Sequence, residues 1–363
     1  MLTITCNVAY VMMRVKFFLS TNDMSRRADH SATHARMQDV AKRASVSAMT
    51  VSRALRAPDQ VSAKTRLRIA RAVRAVGYVP NELAGGLRAS NRTKLVAAIV
   101  PSVRNSLFAA TSHGMSDALR ARGINLMLGD SHYSPDEEED LVTAFLAQRP
   151  CGIVLHDAVR SPHARKLLVK SGIPVVEVGD LTRNPLDMVV SYSNYRAGKA
   201  MTRHLVERGY RRVGFASLAT AVTARSAARL KGYKAALREA GLPIDPARII
   251  EVDGGFASGG AALVRLVEAG ADAVFFAGDV LAVGAALECQ RRGWSVPGRV
   301  AIASFDDHEI ASQVSPPLTA LKIPRYEIGR RAAELILERH NGIKHRAPVI
   351  VDLGFEILAR AST

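Results

Sequence analysis

Hydrophobic residues follow helical spacing in the first part of the chain. The pattern predicts three short helices, over residues 37–44, 48–55 and 62–76. Ser47 and Ser62 stand at the starts of the second and third helices, where a hydroxyl can accept a backbone N–H bond. We expect the following side chains to be buried: Val40, Ala41, Ala44, Val51, Ala54, Leu55, Leu67, Ile69, Ala70, Val73 and Val76.

The second predicted helix has an outward face that combines small, apolar and basic side chains. These are Ala48, Met49, Ser52, Arg53 and Arg56. Two short helices joined by a tight turn, backed by a third helix and rich in arginine, match a helix-turn-helix that reads DNA. A basic three-helix bundle that binds acidic surfaces is the alternative that this pattern alone leaves open.

From residue 95 onward, short apolar runs alternate with amphipathic stretches. The apolar runs predict strands over 95–100, 125–129, 152–155, 174–178, 212–216, 249–252, 273–276 and 300–305. The stretches between them predict helices over 108–122, 135–148, 163–170, 194–207, 225–240, 258–269 and 281–291. Repeated strand–helix–strand units form parallel sheets with helices on both faces. The strands are too many for one small sheet. We therefore predict an α/β fold of two doubly wound lobes, with a ligand in the cleft at the carboxyl ends of the strands.

Positive charge is concentrated in and around the predicted helix-turn-helix. The 363-residue chain has a formal net charge of +17, of which residues 24–94 hold +11 and residues 95–363 only +5. Because neutralising phosphates adds salt-sensitive affinity, this asymmetry favours nucleic acid as a partner. A hydrophobic content of 48% is ordinary for a globular protein, and the chain is long enough for more than one core.

The cysteines and the N-terminal residues indicate the cellular compartment in which the protein is expected to function. Cys6, Cys151 and Cys289 are isolated, which argues against disulfides and thiolate metal sites and fits a reducing cytoplasm. The sequence contains no run of about twenty apolar residues that would predict a membrane span. Residues 1–35 lack a basic front and a cleavage site, so we expect a disordered or misassigned extension, with Met24 as a candidate start.

Sequence motifs for catalysis and cofactors are absent. The glycine-rich stretch 253–260 has neither P-loop nor GxGxxG spacing. No HExxH histidine pair and no GxSxG serine motif occurs. The sequence therefore predicts no cofactor, no metal site, no catalytic residues and no enzymatic activity.

The helical segment and the residues after it resemble the LacI (lactose repressor) family of bacterial transcription factors. The resemblance is carried by DVAKRASVSAMTVSRAL at 39–55, VSAKTR at 61–66 and GYVPNELAGGL at 77–87, and it continues along the remaining chain. It implies a helix-turn-helix DNA-binding domain over 36–80, a hinge helix and linker over 81–94, and an effector-binding and dimerisation domain over 95–363.

The family resemblance also implies an architecture. In that family the hinge helix folds on DNA and a leucine wedges into the minor groove, and Leu87 stands at that position. The family's effector domain looks like a periplasmic sugar-binding protein, with two lobes joined by three crossings. Carried over to this chain, the N-lobe covers about 95–192 and 325–346, and the C-lobe covers about 193–321 with a last strand near 348–356.

On the DNA side, Ala48 and Met49 take the variable base-reading positions of the family, and Arg53 suits a guanine. Thr50 suits a base edge or a phosphate, and the serines suit phosphates or helix caps. The expected DNA-binding residues are Ser47, Ala48, Met49, Thr50, Ser52, Arg53, Asn81 and Leu87.

On the effector side, Arg229 stands where the family has an arginine facing the ligand. Phe256 takes the aromatic platform position, and Asp306 matches the acid that binds sugar hydroxyls. The expected effector-binding residues are Ser102, Phe108, Arg225, Arg229, Phe256, Asp279 and Asp306. For Asp279 and Asp307, an internal ion pair is an equally good interpretation.

The stretches LECQRRGWSVPGRVAIASFDDHEIA at 287–311 and VDLGFEI at 351–357 resemble the gluconate-operon repressor branch of the family. This implies gluconate or a related sugar acid as effector. Arg225 and Arg229 agree, because they lie one helical turn apart and can meet an anion. The expected function is a cytoplasmic transcriptional repressor that binds a pseudo-palindromic operator as a homodimer. A solute-binding protein without a regulatory role, a regulator of a different carbohydrate, and the pairing of two dimers stay open.

Overall fold

The computed structural model describes residues 35–79, 92–103, 107–158, 161–343 and 348–363. The chain divides into two compact units, one ending at residue 81 and the other beginning at residue 82. The expected N-terminal extension, apart from residue 35, and most of the expected hinge lie outside the described residues, and so do Asn81 and Leu87. No described helix has the length and apolarity needed to traverse a lipid bilayer.

The first unit contains the three helices that the sequence predicts. They are α1 Met37–Ala44, α2 Ala48–Arg56 and α3 Ala63–Val76. Ser47 caps α2, and Ser62 caps α3 by accepting a hydrogen bond from the backbone N–H of Thr65 at 3.4 Å. Helix α3 ends at Gly77, whose φ of +66° lies in the left-handed region that glycine adopts without strain.

A small core holds these three helices together. It contains Val40, Ala41, Ala44, Val51, Ile69 and Ala72. Leu55, Leu67 and Ala70 are exposed, so the expectation that they are buried is wrong. The buried face of α3 is set by the spacing of Ile69 and Ala72, and Leu67 lies on the opposite side of the helix.

The second unit begins with a lobe built on a parallel sheet, which we call the first lobe. Its elements in chain order are β1 Leu95–Val100, α4 Leu107–Arg120, β2 Asn125–Asp130, α5 Pro135–Ala147, β3 Gly152–His156, α6 Pro162–Ser171, β4 Val175–Val178 and β5 Met188–Ser191. Strands β1, β3, β4 and β5 are almost wholly buried because helices cover both faces of the sheet.

A second lobe follows. Its elements are α7 Asn194–Glu207, β6 Val213–Ser217, α8 Ala224–Glu239, β7 Ile249–Glu251, α9 Phe256–Glu268, β8 Ala273–Phe276, α10 Asp279–Arg292, β9 Ala301–Phe305 and β10 Thr319–Lys322. The remaining elements are α11 Arg325–His340, β11 Val349–Asp352 and β12 Glu356–Leu358. The sheet orders are β11-β5-β4-β3-β1-β2 and β12-β10-β9-β8-β6-β7, and among the described strand pairs only β10–β12 is antiparallel. The α/β fold with two parallel-sheet lobes is confirmed.

The last strands differ from the expectation. The family resemblance predicts one strand of the second lobe near residues 348–356. Instead, β11 pairs in parallel with β5 of the first sheet, and β12 pairs with β10 of the second. Gly354, with a φ of +67°, lies between them. The β-branched residues of β11 pair with the otherwise unpaired edge of β5, and the chain then passes to the second lobe, where it forms β12. The expected assignment of residues 348–356 to the second lobe alone is therefore wrong. Strands β5 and β10 were not predicted as separate elements.

Three pairs of helices cross at glycines. Helices α4 and α11 meet at Gly114 and Gly329, α7 and α8 at Gly198 and Gly232, and α9 and α10 at Gly259 and Gly284. A Cβ atom at any of these six positions would collide with backbone atoms of the partner helix. The helices can therefore approach closely because neither has a side chain at the crossing.

Candidate DNA-reading helix and effector cleft

The exposed side of α2 presents Met49 and Arg53 to solvent. Met49 is 71% exposed, and Arg53 is exposed as well. Ala48 and Thr50 are partly buried beside them, and Oγ1 of Thr50 lies 2.9 Å from Oγ of Ser47. An exposed apolar side chain next to an arginine suits base edges, since the first can meet a thymine methyl and the second the two acceptors of guanine.

Two serines of the expected DNA-binding set have structural roles. Ser47 caps α2 by accepting a hydrogen bond from the backbone N–H of Thr50 at 3.1 Å. Ser52 is buried, and both its hydroxyl and its backbone carbonyl accept hydrogen bonds from the Arg56 guanidinium. The expectation that Ser52 points outward is wrong, because Ser52 and its neighbour Val51 both lie on the buried side of α2.

Basic side chains are exposed on both α1 and α2. The exposed cations of α1 and α2 are Lys42, Arg43, Arg53 and Arg56. The acidic Asp59 forms an ion pair with Arg66 of α3 at 3.6 Å. This unit therefore presents a cationic surface of the kind that phosphates attract.

In the second unit, charged side chains gather where strands of both sheets end. Asp157 follows β3 of the first lobe, and Asp306 follows β9 of the second. Arg225 and Arg229 lie one turn apart at the start of α8, and Arg325 begins α11. These three arginines, which we call the arginine cluster, are 5%, 3% and 7% exposed. Buried charges at this density need close partners, because an unpaired buried ion is strongly destabilising.

Arg325 and Asp306 form a bidentate pair between the lobes. Nε and Nη2 of Arg325 donate to the two carboxylate oxygens of Asp306 at 2.6 and 2.7 Å. Burial lowers the pKa of Arg325, but the charge of Asp306, the influence of Tyr192 and the hydrogen bonds to both residues together outweigh burial, so the net shift of this pKa is upward. Asp306 has a φ of +74°, a left-handed conformation that is uncommon for a non-glycine residue. The pair connects the start of α11 in the first lobe to the end of β9 in the second.

In the part of the chain that the structure describes, Arg229 forms hydrogen bonds only with neutral groups. Its Nε donates to Oδ1 of Asn194 at 2.8 Å, its Nη1 to the carbonyl of Ala277 at 2.6 Å, and its Nη2 to the hydroxyl of Tyr192 at 3.4 Å. The guanidinium carbon lies 3.4 Å from the centre of the Phe305 ring. Burial lowers the pKa of Arg229. Among the described residues no carboxylate forms an ion pair with it, so its charge is available to an anion.

Arg225 pairs with a carboxylate of the other lobe. Its Nε lies 2.9 Å from Oδ1 of Asp157 and donates to Oδ2 at 3.2 Å. Its guanidinium carbon lies 5.5 Å from the centre of the Phe108 ring. Burial raises the pKa of Asp157 although the charge of Arg225 opposes the shift.

Three polar atoms beside Arg225 have no hydrogen-bond partner among the described residues. They are Oδ1 of Asp157, whose contact with Nε of Arg225 is an ion pair, and Nδ1 of His156 and Oγ1 of Thr223, whose side chains are buried. The His156 ring packs edge-to-face on Phe108 at 4.4 Å. Burial, followed by the charges of the three arginines, holds the pKa of His156 well below 6.5, so the ring is neutral. Buried polar atoms without protein partners are the groups that a ligand would satisfy.

The structure brings together most of the residues expected to bind the effector. Phe108, Arg225, Arg229 and Asp306 belong to the cluster of contacts just described. Asp279 is buried, and its pKa is raised by burial and by the nearby charge of Asp306. Its Oδ1 accepts a hydrogen bond from the backbone N–H of Val280 at 2.8 Å.

Three other positions differ in their surroundings. Asp307 forms an ion pair with Arg360 at 2.6 Å, so of the two interpretations given for this residue the internal ion pair applies. Phe256 is the first residue of α9, which begins two residues before the predicted start of that helix, and its side chain is 49% exposed. Its ring makes no aromatic contact with the arginine cluster in the described part of the chain. Ser102 follows β1 and is partly buried.

Five further residues shape the cleft and are not among those expected from the sequence: Asp157, His156, Tyr192, Asn194 and Arg325. A signal for two of them is present in the sequence. His156 ends β3 and Asp157 follows it, so both stand at the carboxyl end of a strand that the sequence predicts. Tyr192 follows β5 in the same way, but β5 is not among the predicted strands. Arg325 had no such signal, because it follows a crossing between lobes.

A family model of bacterial regulatory proteins, lacI family, matches residues 36–81, and a periplasmic binding protein-like domain model matches residues 202–363. The HTH-type transcriptional regulator GntR of Pseudomonas aeruginosa is 38% identical over 349 residues, which cover 95% of this chain and 99% of the relative. The chain belongs to the LacI family. It is a DNA-binding transcriptional regulator.

Further similarities of this LacI-family regulator agree. GntR of Escherichia coli is 35% identical over 327 residues, covering 88% of the chain and 96% of the relative. A LacI-family transcriptional regulator from Silicibacter pomeroyi has a TM-score of 0.84 at 32% identity, covering 90% and 99% of the two chains. The lac repressor dimer bound to operator and the anti-inducer ONPF has a TM-score of 0.76 at 22% identity, covering 91% and 99%. This last similarity shows a shared fold.

Proposed function

We propose that this LacI-family regulator represses transcription as a homodimer on a pseudo-palindromic operator and is released by a sugar acid. The observation that carries the effector class is Arg229, a buried cation with neutral partners at the strand ends. Gluconate is the first acid to test, because the sequence resembles the gluconate-operon repressor branch and the relatives include GntR regulators.

The DNA side of the proposal uses α2. In each half-site α2 enters the major groove, where Met49 and Arg53 meet base edges and the surrounding cations meet phosphates. Leu87 of each subunit wedges into the minor groove at the operator centre. Phosphate contacts fix the position of the helix, whereas its exposed side chains select the sequence.

The effector side uses the contacts between the lobes. Arg325–Asp306 and Arg225–Asp157 each join the two lobes, so a ligand that binds among them alters the angle between the lobes. That change separates the first lobes of the dimer and unfolds the hinge helices. The resulting coupling between effector and operator amounts to about 1–3 kcal/mol.

The effector proposal can be tested with the full-length protein and Arg229→Gln. An operator is first selected from a random-sequence DNA library, and binding is followed by fluorescence anisotropy while gluconate or glucose is added. We expect gluconate, but not neutral glucose, to release the wild-type protein. Arg229→Gln removes charge-assisted hydrogen bonds, so its gluconate affinity should fall at least about tenfold.

Arg238→Gln is the matched control, because Arg238 lies on the same helix and is exposed. It should respond to gluconate like the wild type. Release by glucose as readily as by gluconate, or a normal response of Arg229→Gln, would contradict a sugar-acid effector.

If Leu87 wedges into the minor groove, Leu87→Ala should affect operator binding without affecting gluconate binding. Losing the apolar wedge should weaken operator affinity while gluconate affinity, measured by calorimetry, stays at the wild-type value. Leu67→Ala is the control, since Leu67 is a 61% exposed leucine of α3. Equal operator binding by Leu87→Ala and Leu67→Ala would count against a wedge at the operator centre.

A further inference from the structure

The Asp157–Arg225 ion pair joins the two lobes across the cleft, and the carboxylate in this pair belongs to the protein itself. Asp157 lies at the end of β3 in the first lobe and Arg225 in the first turn of α8 in the second. The two side chains are 22% and 6% exposed, and their closest atoms are 2.9 Å apart. A carboxylate that belongs to the protein thus lies on an arginine in the cleft where the effector is proposed to bind.

Asp157 depends on Arg225 for charge compensation. Its φ of +94° is in the left-handed region, so the backbone is held in a strained conformation that directs this short side chain into the cleft. Nδ1 of His156 is 3.8 Å from Oδ1 of Asp157, but the neutral ring supplies no positive charge. In the described part of the chain, Arg225 is the arginine or lysine that pairs with this carboxylate.

Arg225 keeps unused hydrogen-bonding capacity. It donates only from Nε, and its Nη1 and Nη2 have no hydrogen-bond acceptor among the described residues. The unpartnered Nδ1 of His156 belongs to the residue next to Asp157 in the chain, and the unpartnered Oγ1 of Thr223 belongs to the residue two positions before Arg225. A bound sugar acid could give Arg225 a bidentate carboxylate contact and offer its hydroxyl groups to the unpartnered atoms.

We infer that Asp157 is an internal competitor of the effector. The carboxylate of Asp157 contacts Arg225 at the position where the carboxylate of a sugar acid would bind. The effector therefore binds by displacing Asp157 from Arg225. This inference rests on the proposed function of the cleft. A neutral sugar cannot displace Asp157, because separating the pair would leave two charges without a partner. A sugar acid replaces one carboxylate by another, and the partly exposed Asp157 side chain turns towards water. Asp157 therefore excludes neutral sugars and sets the effector concentration at which the lobes respond.

The test compares full-length wild type with Asp157→Asn, which keeps the shape of the side chain and removes its charge. Gluconate and glucose binding are measured by calorimetry, and release from the selected operator by anisotropy. We expect Asp157→Asn to bind gluconate about tenfold more tightly and to leave the operator at a correspondingly lower gluconate concentration. Glucose should not bind the wild type, whereas Asp157→Asn has no ion pair to separate and should bind glucose detectably, though more weakly than gluconate.

Asp187→Asn is the matched control. Asp187 is another partly exposed carboxylate of the first lobe that pairs with an arginine, Arg339, at 3.0 Å. Its removal should leave gluconate affinity unchanged. If Asp157→Asn does not fold, as judged by thermal unfolding, Asp157→Ser provides the same comparison.

The outcomes distinguish this inference from the function on which it rests. If the wild type binds no member of a panel of sugar acids, the proposed effector class is wrong and the inference falls with it. If the wild type binds gluconate and the charge-removing variants bind it equally or more weakly, Asp157 is not a competitor, while the sugar-acid effector stands.

Discussion

Arg225, Arg229 and Arg325 share one chemistry, but their partners give them different tasks. Arg325 shares two short hydrogen bonds with Asp306, a buried geometry that exchanges poorly with a ligand. Arg225 pairs with Asp157 through Nε alone and retains donors. Arg229 is held by neutral groups and keeps its full charge. An entering anion should therefore meet Arg229 first and compete for Arg225, while Arg325 maintains the connection between lobes.

His156 predicts a loss of stability in mild acid. In the folded protein, burial and the nearby arginines hold its pKa well below 6.5, whereas the unfolded chain takes up a proton below about pH 6.5. Above that pH neither state binds the proton, so His156 does not change the free energy of unfolding. As the pH falls further, only the unfolded state binds the proton, and the free energy of unfolding decreases progressively until the pH reaches the pKa of the folded state. The slope can reach about 1.4 kcal/mol per pH unit.

We expect His156→Gln to flatten the decline of the thermal midpoint between about pH 7 and pH 5.5. Comparing slopes removes the constant cost of the lost ring contact with Phe108. His163→Gln, at an exposed position of α6, should leave the slope as it is. Parallel pH profiles for His156→Gln and wild type would show that His156 is not held neutral.

At the scale of elements, the helix pairs depend on glycines at their crossings. A Cβ atom at Gly232 of α8 would overlap the carbonyl oxygen of Tyr195 and the amide nitrogen of Lys199 on α7. Backbone atoms cannot move aside as a flexible side chain can, so the helices would have to separate. The separation would reach the start of α7, where Asn194 holds Arg229.

Gly232→Ala should therefore destabilise the protein. Overpacking costs about 1–3 kcal/mol, which exceeds the gain of up to about 1 kcal/mol from replacing a helical glycine by alanine. Denaturant unfolding of the full chain measures the difference. Gly254→Ala is the control, because a Cβ there would lie 3.8 Å from Leu218 in ordinary contact. A Gly232→Ala protein as stable as the control would mean that the α7–α8 crossing adjusts freely.

At the scale of the whole molecule, operator binding and effector binding are assigned to different parts of the chain. Residues 24–94 carry a net charge of +11, and residues 95–363 carry +5 in about four times the length. Removing residues 1–94 should abolish binding to the selected operator and leave gluconate affinity within about twofold of the wild type, because the arginine cluster is retained. Anisotropy and calorimetry measure the two affinities. A truncated protein that still binds the operator would refute this division.

The sequence by itself determined the helices of the first unit, the parallel α/β lobes and the family. These features are encoded by local spacing, which sets the apolar face of each element, and by motifs of adjacent residues. The placement of Arg225 and Arg229 one turn apart on one helix is local in the same way. Asp306 was found because strand ends and the family resemblance both point to the cleft, and Phe108 because it begins a predicted helix that flanks the same cleft.

Only the tertiary structure decided which charges meet. Asp157 and Arg225 are 68 residues apart in the chain and belong to different lobes, so no local pattern can report their contact. The same applies to the contact between Arg325 and Asp306. It applies also to β11, because the sheet that this strand joins depends on which sheet has an unpaired edge strand next to it. The burial of Ser52 was likewise decided by how three helices pack around Val51. Spacing along a chain fixes the face of each element, whereas the partner of a buried charge depends on how distant elements come together.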